Sequence, residues 1–382
     1  MKELQNAKVR HWLAEPMGRD VAEAIAKLAE ADDVAQIAVM PDVHLAKEVC
    51  VGLAVATRTK IYPAAVGADI GCGMAAIRSS ASAELLAEER SAARLLAGLY
   101  ERAPSLKHRR ATAPATLPES LLQSPLSHPR LEKLKLRDAR LQLGSLGRGN
   151  HFLEFQRDDE GRLWLMVHSG SRGMGQAISA HHAALAIRET SIKGPSWFDA
   201  DSPRGRDYLA DAAWAEQYAA ENRLAMLAAV AELLWDLFAV ELDFGSLIHA
   251  NHNHVRFETC GPGNLWVHRK GALSARAGEP GVIPGSMGTA SFHTLGRGLP
   301  ESLCSSSHGA GRALSRSEAV KKIGERQLTR EMRGVWFNER QAGKLRDEAP
   351  SAYKNIFAVM RAQRELTQVV RRLQPVLNYK AV

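Results

Sequence analysis

The chain has 382 residues, 45% hydrophobic and 24% charged, the content of a soluble globular protein with an ample core. A formal net charge of +8 favours a polyanionic partner such as tRNA, ribosomal RNA or a nucleotide. Cys50, Cys72, Cys260 and Cys304 stand far apart with no CxxC pair, which argues against a disulfide framework or zinc knuckle and fits a reducing cytoplasm.

The first residues, "MKELQNAKVRHWLAEP", lack the apolar core of a signal peptide. No uninterrupted apolar run approaches the roughly 20 residues of a membrane span, so no membrane partner is expected. "RDVAEAIAKLAEAD" (19–32) has helical spacing, and "VAQIAVM" (34–40) reads as a buried strand ending at "PDVH". "VGLAVAT" (51–57) is strand-like, and "SAELLAEERSAARLLAGLYERA" (82–103) predicts a helix with a serine start. Residues 103–140 carry many prolines and a basic excess without clear period. They predict a solvated surface excursion, with a mobile lid or an RNA-contacting insertion as alternatives. "LWLMVH" (163–168) and "NLWVHR" (264–269) are strand-like. The longest helical pattern, 206–240, has a stripe including Trp214, Leu224, Leu227, Val230 and Leu234. "MRAQRELTQVVRRLQP" (360–375) predicts a basic amphipathic helix stopped by Pro375. Strands and helices are interspersed, so the class is mixed α and β. There is no GxGxxG after an early strand and no GxxxxGK[ST], which disfavours Rossmann and P-loop nucleotide sites.

Chemistry-bearing residues come in short islands. "MPDVH" (40–44) ends a strand with Asp42 and His44. "VGADIGCGM" (66–74) sets Asp69 and Cys72 among glycines, read alone as a glycine-rich turn with a buried thiol or a phosphate cradle. "GSLGRGNHFLEF" (144–155) presents Asn150, His151 and Glu154, and "MVHSGSRGMG" (166–175) places His168 at a strand terminus ahead of Arg172. "HANHNHV" (249–255) packs three histidines and two asparagines together, and "SSSHGAGR" (305–312) embeds His308 among small residues. Five histidine islands flanked by glycine or asparagine point to a ligand, because glycine permits close backbone approach at a cost in chain entropy. A thiolate, a carboxylate and several imidazoles form a mixed donor set suited to Mn²⁺, Zn²⁺, Fe²⁺ or Co²⁺, and not to Mg²⁺ alone. One thiolate can bridge two ions, and two ions can clamp the attacking and leaving oxygens of phosphoryl transfer. "RKGALSARAGEPGVIPGSMGTASF" (269–292) adds amides and hydroxyls that could hold phosphates or a base.

In this order, "MPDVH", "VGADIGCGM", "GSLGRGNHFLE", "VHSGSRGMG", "HNHV", "RKGA", "IPGSMGTAS" and "SHGAGRALSR" resemble the RtcB family of RNA-splicing ligases. "DEAPSAYKNI" (347–356) and "NYK" (378–380) extend the resemblance, which runs from about residue 35 to 382. It implies one α+β domain over 1–382, with mixed sheets surrounded by helices and a central metal and nucleotide pocket. It also implies a cytoplasmic ligase that uses GTP and two Mn²⁺ ions. Such a ligase joins RNA ends bearing a 2′,3′-cyclic phosphate or 3′-phosphate to a 5′-hydroxyl, through a guanylylated histidine and an RNA 3′-end activated by GMP. Carried over by motif, His308 is the nucleophile. Asp69, Cys72 and His151 hold one metal, and Cys72, His168 and His252 hold the other. The guanylate pocket comprises Asn150, His151, Phe152, Leu153, Glu154, His252, Asn253, Pro284, Gly285, Ser286, Met287, Ser291, Gly309, Ala310, Gly311 and Lys380. Arg172, Lys270 and Arg312 are expected to meet phosphates. In "LAKEVCVG", Ala46 and Glu48 stand where glycines are usual, and Asn251 stands where some relatives carry histidine. A divergent bacterial branch serving repair of cleaved tRNA or rRNA is implied, with an activating or repair-pathway protein as partner. Two other functions use the same residues: a dinuclear phosphoesterase that opens cyclic phosphates without sealing, and an RNA-end-binding protein without ligation.

Overall fold

In the computed structural model, which describes residues 8–187, 194–259 and 263–380, the first predicted helix forms over Arg19–Ala29. Its Ile25, Leu28 and Ala29 are buried against the strand Val34–His44, as the spacing requires. That strand pairs parallel with Val9–His11 and antiparallel with Val51–Thr57. The sheet continues through Asn264–Lys270 to Asn253–Thr259, giving five strands. The register with Val51–Thr57 breaks between Val39 and His44. Pro41 sits in the break and has no N–H to give a ladder, so Asp42 is released from regular pairing just where a site needs it.

A second sheet has seven strands, ordered Pro280–Ile283, Ser291–Gly296, Thr367–Tyr379, Phe152–Asp158, Arg162–Ser169, Gly73–Ser82 and Leu242–Asn251. Each neighbouring pair is antiparallel. Across the back of this sheet lies the helix Pro203–Phe238, started by Ser202, whose Oγ accepts from Gly205 N, and by Pro203 at its first turn. Trp214, Leu227, Val230 and Leu234 of the predicted stripe are buried, and Leu224 is half-buried. Helices, the mixed five-stranded sheet and the antiparallel seven-stranded sheet form one domain, and no helix among the described residues is long and apolar enough to cross a membrane. Cys260 lies outside the described residues.

Two expectations are corrected. The predicted helix 360–375 is instead the end of a short helix, Ile356–Ala362, followed by the strand Thr367–Tyr379. Beyond Arg372, Leu373, Pro375, Leu377 and Tyr379 are buried at a spacing of two, which suits a strand, and Asn378 between the last two is buried on the opposite face, where it bonds Glu154. Pro375 is accommodated at a register shift against Phe152–Asp158. Residues 103–140 are not solvated throughout. They form the helices Glu119–Gln123 and Pro129–Leu134, and Leu117, Leu121, Leu126 and Leu131 are buried in the core that includes Trp214 and Tyr218. Trp214 Nε1 donates to Leu121 O at 2.9 Å, which fixes the segment to the long helix.

Candidate functional site

Strand register assembles the site. Gly73 lies opposite both Ser169 and Asn251, so Cys72 emerges between the strand end carrying His168 and the one followed by His252. His252 N donates to Cys72 O at 2.8 Å. Phe152 pairs with His168 and brings His151 to the same edge. Sequence separations of more than a hundred residues thus collapse onto one sheet end. Cys72 Sγ is 3.2 Å from His168 Nε2 and 3.5 Å from His151 Nε2, and the three donor atoms lie within 4.8 Å of one another. His168 Nε2 is 3.4 Å from His252 Nε2, and His151 Nε2 is 2.9 Å from Asp69 Oδ2. A Cβ on Gly170 would lie 2.3 Å from Asp69 Oδ1, so only glycine lets that carboxylate in.

The donor chemistry fits a cation. His168 Nδ1 lies 3.1 Å from Asn150 O and His151 Nδ1 lies 3.1 Å from Leu146 O. The Asn150 carbonyl assigns the His168 ring proton to Nδ1 and leaves its Nε2 lone pair aimed at Cys72, while His151 Nε2 faces both Cys72 and Asp69. Burial, with neighbouring cationic side chains, holds His168 and His252 well below their ordinary values, so both rings are neutral, the form that can ligate a cation. Asp69 is held below the usual carboxylate range: burial opposes ionisation, but the His151 contact and the Arg172 charge outweigh it. Burial, and then Asp69, push the Cys72 thiol well above its ordinary value. Converging lone pairs and a thiol that needs an ion to lose its proton are the chemistry of a metal centre. His252 Nδ1 is buried without a hydrogen-bond partner.

Beside this cluster opens a cavity of about 810 Å³. Its walls include Asp69, Cys72, His168, His252, Asn150, Phe152, Glu154, Asn253 and Lys270. They continue through Pro284, Gly285, Ser286, Met287, His308, Gly309, Ala310, Gly311, Arg312 and Lys380. His308 follows the strand Ser305–Ser307, and its ring centroid is 4.7 Å from that of His252. His308 Nδ1 is 2.7 Å from Asp42 Oδ2, which also accepts from His308 N at 3.2 Å and Gly309 N at 3.3 Å. Gly311 has φ +72°, and a Cβ there would lie 2.2 Å from Asp42 O. Glu154 accepts from Gln156 Nε2 at 2.7 Å and Asn378 Nδ2 at 2.5 Å, and burial pushes its carboxyl up to about 8.

Of the other sequence-selected residues, Leu153, Ser291 and Arg172 lie behind the wall, and Arg312 and Lys270 line it with hydrogen bonds to the chain's own acceptors. Leu153 alternates to the far face of its strand and is buried in the core. Ser291 is one strand layer behind the wall, its Oγ accepting from Gln156 Nε2 at 2.8 Å. Arg172, at φ +56°, stands 3.4 Å from His151 Nδ1 and donates to Ser145 Oγ at 3.2 Å, behind the metal cluster. Arg312 donates to Leu314 O, Asp347 O, Glu348 and Tyr353 OH, leaving one N–H. Lys270 Nζ donates to Val49 O at 2.8 Å and Ala64 O at 3.1 Å, leaving one N–H for the cavity. Three participants went unassigned in the sequence. Asp42 was legible in "MPDVH" only as a strand-end acid. Glu348, buried, accepts from Lys380 Nζ at 2.5 Å and Arg316 Nη1 at 2.6 Å. Arg223 is a charge on the apolar face of the long helix, the one signal that marked it.

A buried thiol–imidazole–carboxylate cluster at the wall of a large cavity defines an α+β protein with a candidate metal site. The family model described as tRNA-splicing ligase RtcB matches residues 24–128 and 123–381, and the chain belongs to the RtcB family. It is 36% identical over 414 residues to the RNA-splicing ligase RtcB of Escherichia coli K12, covering 98% of each chain. The tRNA-splicing ligase RtcB of Methanococcus maripaludis is 29% identical over 428 residues, covering 92% of this chain and 89% of that one. That of Thermococcus kodakarensis is 32% identical over 291 residues, covering 64% of this chain and 60% of its own.

Proposed function

We propose that this chain is a GTP-dependent RNA ligase that joins a 2′,3′-cyclic-phosphate or 3′-phosphate RNA end to a 5′-hydroxyl end. The observation that supports this most is His308, an imidazole facing the cavity beside the metal cluster with its Nδ1 fixed by a fully buried carboxylate. Asp42 takes the Nδ1 proton's hydrogen bond and leaves Nε2 as the free lone pair. Nε2 attacks the α-phosphorus of GTP, the N–P bond forms, the bond to the β-phosphate oxygen breaks and pyrophosphate leaves. The imidazolium character gained is balanced by Asp42. A 2′,3′-cyclic phosphate is first opened by water, which breaks the P–O2′ bond and leaves the 3′-phosphate. An oxygen of that 3′-phosphate attacks the phosphorus on His308, the N–P bond breaks and GMP passes to the RNA end. The 5′-hydroxyl oxygen then attacks the 3′-phosphorus, its proton passing to solvent, and GMP leaves.

Asp69, Cys72 and His151 would hold one Mn²⁺ and Cys72, His168 and His252 the other, where they would act as Lewis acids on phosphate oxygens. Asn150 and Lys270 line the cavity, where Lys270 would meet the phosphates and Asn150 the guanylate. Glu154, kept protonated up to about 8, can donate as well as accept a hydrogen bond to a base edge, and Lys380 lies 3.4 Å from Gly149 O beside it. The net charge of +8 leads us to expect salt-sensitive RNA binding. We place the enzyme in RNA repair in the cytoplasm, served by an activating or repair-pathway partner. The test is to incubate the protein with 2′,3′-cyclic-phosphate and 5′-hydroxyl RNA halves, GTP and Mn²⁺. A joined product is expected. Opening of the cyclic phosphate without joining would make the protein a phosphoesterase, and binding without either would make it an RNA-end-binding protein.

A further inference from the structure

The long helix Pro203–Phe238 carries a guanidinium in the layer where it meets the seven-stranded sheet. Arg223 is 0% exposed. Its Nη1 donates to Gly71 O at 2.9 Å and Ser169 O at 2.8 Å, its Nη2 to Asn251 Oδ1 at 2.5 Å and its Nε to His249 Nε2 at 2.8 Å. None of these acceptors is a carboxylate. Gly71, Ser169 and Asn251 are the chain neighbours of Cys72, His168 and His252, so one side chain grips three strand ends beside three donor residues. Asn222, next to it, donates to Ser169 Oγ at 3.0 Å. Ser169 Oγ in turn donates to Leu146 O at 2.7 Å, the same carbonyl that fixes His151 Nδ1. The pair therefore reaches Cys72, His168 and His252 through one neighbouring residue each, and His151 through Ser169 and Leu146.

A buried guanidinium without an ion partner is costly, and neutral acceptors satisfy its N–H groups but not its charge. The acidic groups placed to offset Arg223 are Asp69, Glu216 and, once it has lost its proton to a metal, Cys72. Two of these are metal donors. We propose that Arg223, backed by Asn222, is the positioning residue of the metal centre. It sets the separation of Cys72, His168 and His252 and supplies the positive charge that stabilises the anionic donors. This rests on the metal-centre reading above and concerns residues that touch neither metal nor nucleotide.

Outer-shell partners of metal ligands are typically worth about 10–100-fold in metal affinity, which sets the expected effect. The probe is Co²⁺ added to the full chain, followed by its thiolate-to-metal absorption and by calorimetric titration. Arg223→Met removes charge and fork at similar volume; Arg223→Lys keeps charge and loses the fork. Circular dichroism and the thermal midpoint report folding. The expected result is a thiolate band in the wild type, affinity about 10–100-fold weaker in Arg223→Met, and an intermediate value in Arg223→Lys. Wild-type affinity with an unchanged band in either folded variant overturns the proposal. If Arg223→Met does not fold, Arg223→Lys decides by the same criterion, and failure of both to fold assigns a purely structural role and also overturns it. A wild type that gives no thiolate band contradicts the metal-centre reading itself, a separate outcome.

Discussion

Replacing Asp42 by asparagine tests the link between fold and chemistry at a single atom. Asp42 Oδ2 accepts from His308 Nδ1 at 2.7 Å and from two backbone N–H groups at 3.2 and 3.3 Å, while Oδ1 is buried without a partner. Asparagine fills the same space but has only one acceptor oxygen. If that oxygen keeps facing His308, its NH₂ occupies the unpartnered position at a cost of about 1–3 kcal/mol. If it turns, the NH₂ faces Nδ1, the ring proton moves to Nε2, and the nucleophilic lone pair is lost. Either way the negative charge that balances the guanylylated imidazole is gone. The expected loss in the rate of GMP transfer to the protein is on the order of 10²- to 10⁴-fold. Metal affinity should stay unchanged, because Asp42 stands outside the thiol–imidazole cluster. The assay is covalent labelling from [α-³²P]GTP with Mn²⁺, read as a time course alongside a Co²⁺ titration. Labelling of Asp42→Asn at the wild-type rate would refute the assigned tautomer.

Cys72→Ser should abolish the thiolate-to-cobalt band and weaken metal binding at least 10-fold, measured by the same titration. Gly311→Ala should suppress labelling as strongly as Asp42→Asn, since its Cβ would fall 2.2 Å from Asp42 O at φ +72° and displace the carboxylate's backbone. A crystal structure of that variant with Asp42 unmoved would contradict this. Glu154 gives a pH signature. Its carboxyl is raised from 4.5 to about 8, so the folded chain retains a proton that the unfolded chain releases between those values. Its contribution to stability is complete below about 4.5 and is lost as pH rises through about 8, with a slope of at most about 1.4 kcal/mol per pH unit. Glu154→Gln should flatten the fall of the thermal midpoint across that window, and an unchanged slope would count against the buried, protonated carboxyl.

Legibility in the sequence followed periodicity. The buried run "VAQIAVM" and the stripe through Trp214, Leu227, Val230 and Leu234 were readable because one period governs each. The segment 360–375 misled because its arginines and glutamate give a helix-like alternation at the start, whereas burial is set later by Leu373, Leu377 and Tyr379 pairing beside Phe152–Asp158. The leucines of 103–140 are spaced irregularly by prolines, and only the groove along Trp214 and Tyr218 makes them core. At the site, residue types were visible as islands, but their meeting depends on the Gly73–Ser169 and Gly73–Asn251 register, which is long-range. For Arg172 and Arg312 the sequence shows a charge and not its hydrogen-bond partners: in the fold Arg172 donates to Ser145 Oγ, and Arg312 donates to Leu314 O and Asp347 O while lining the cavity.

The most direct measurement is the intact mass of the protein after incubation with GTP and Mn²⁺, followed by peptide mapping of the adduct. A single GMP on the peptide carrying His308, absent in His308→Ala, is the expected result. No adduct under these conditions, or GMP carried by a different residue, would contradict a histidine-centred nucleotide transfer at this metal site.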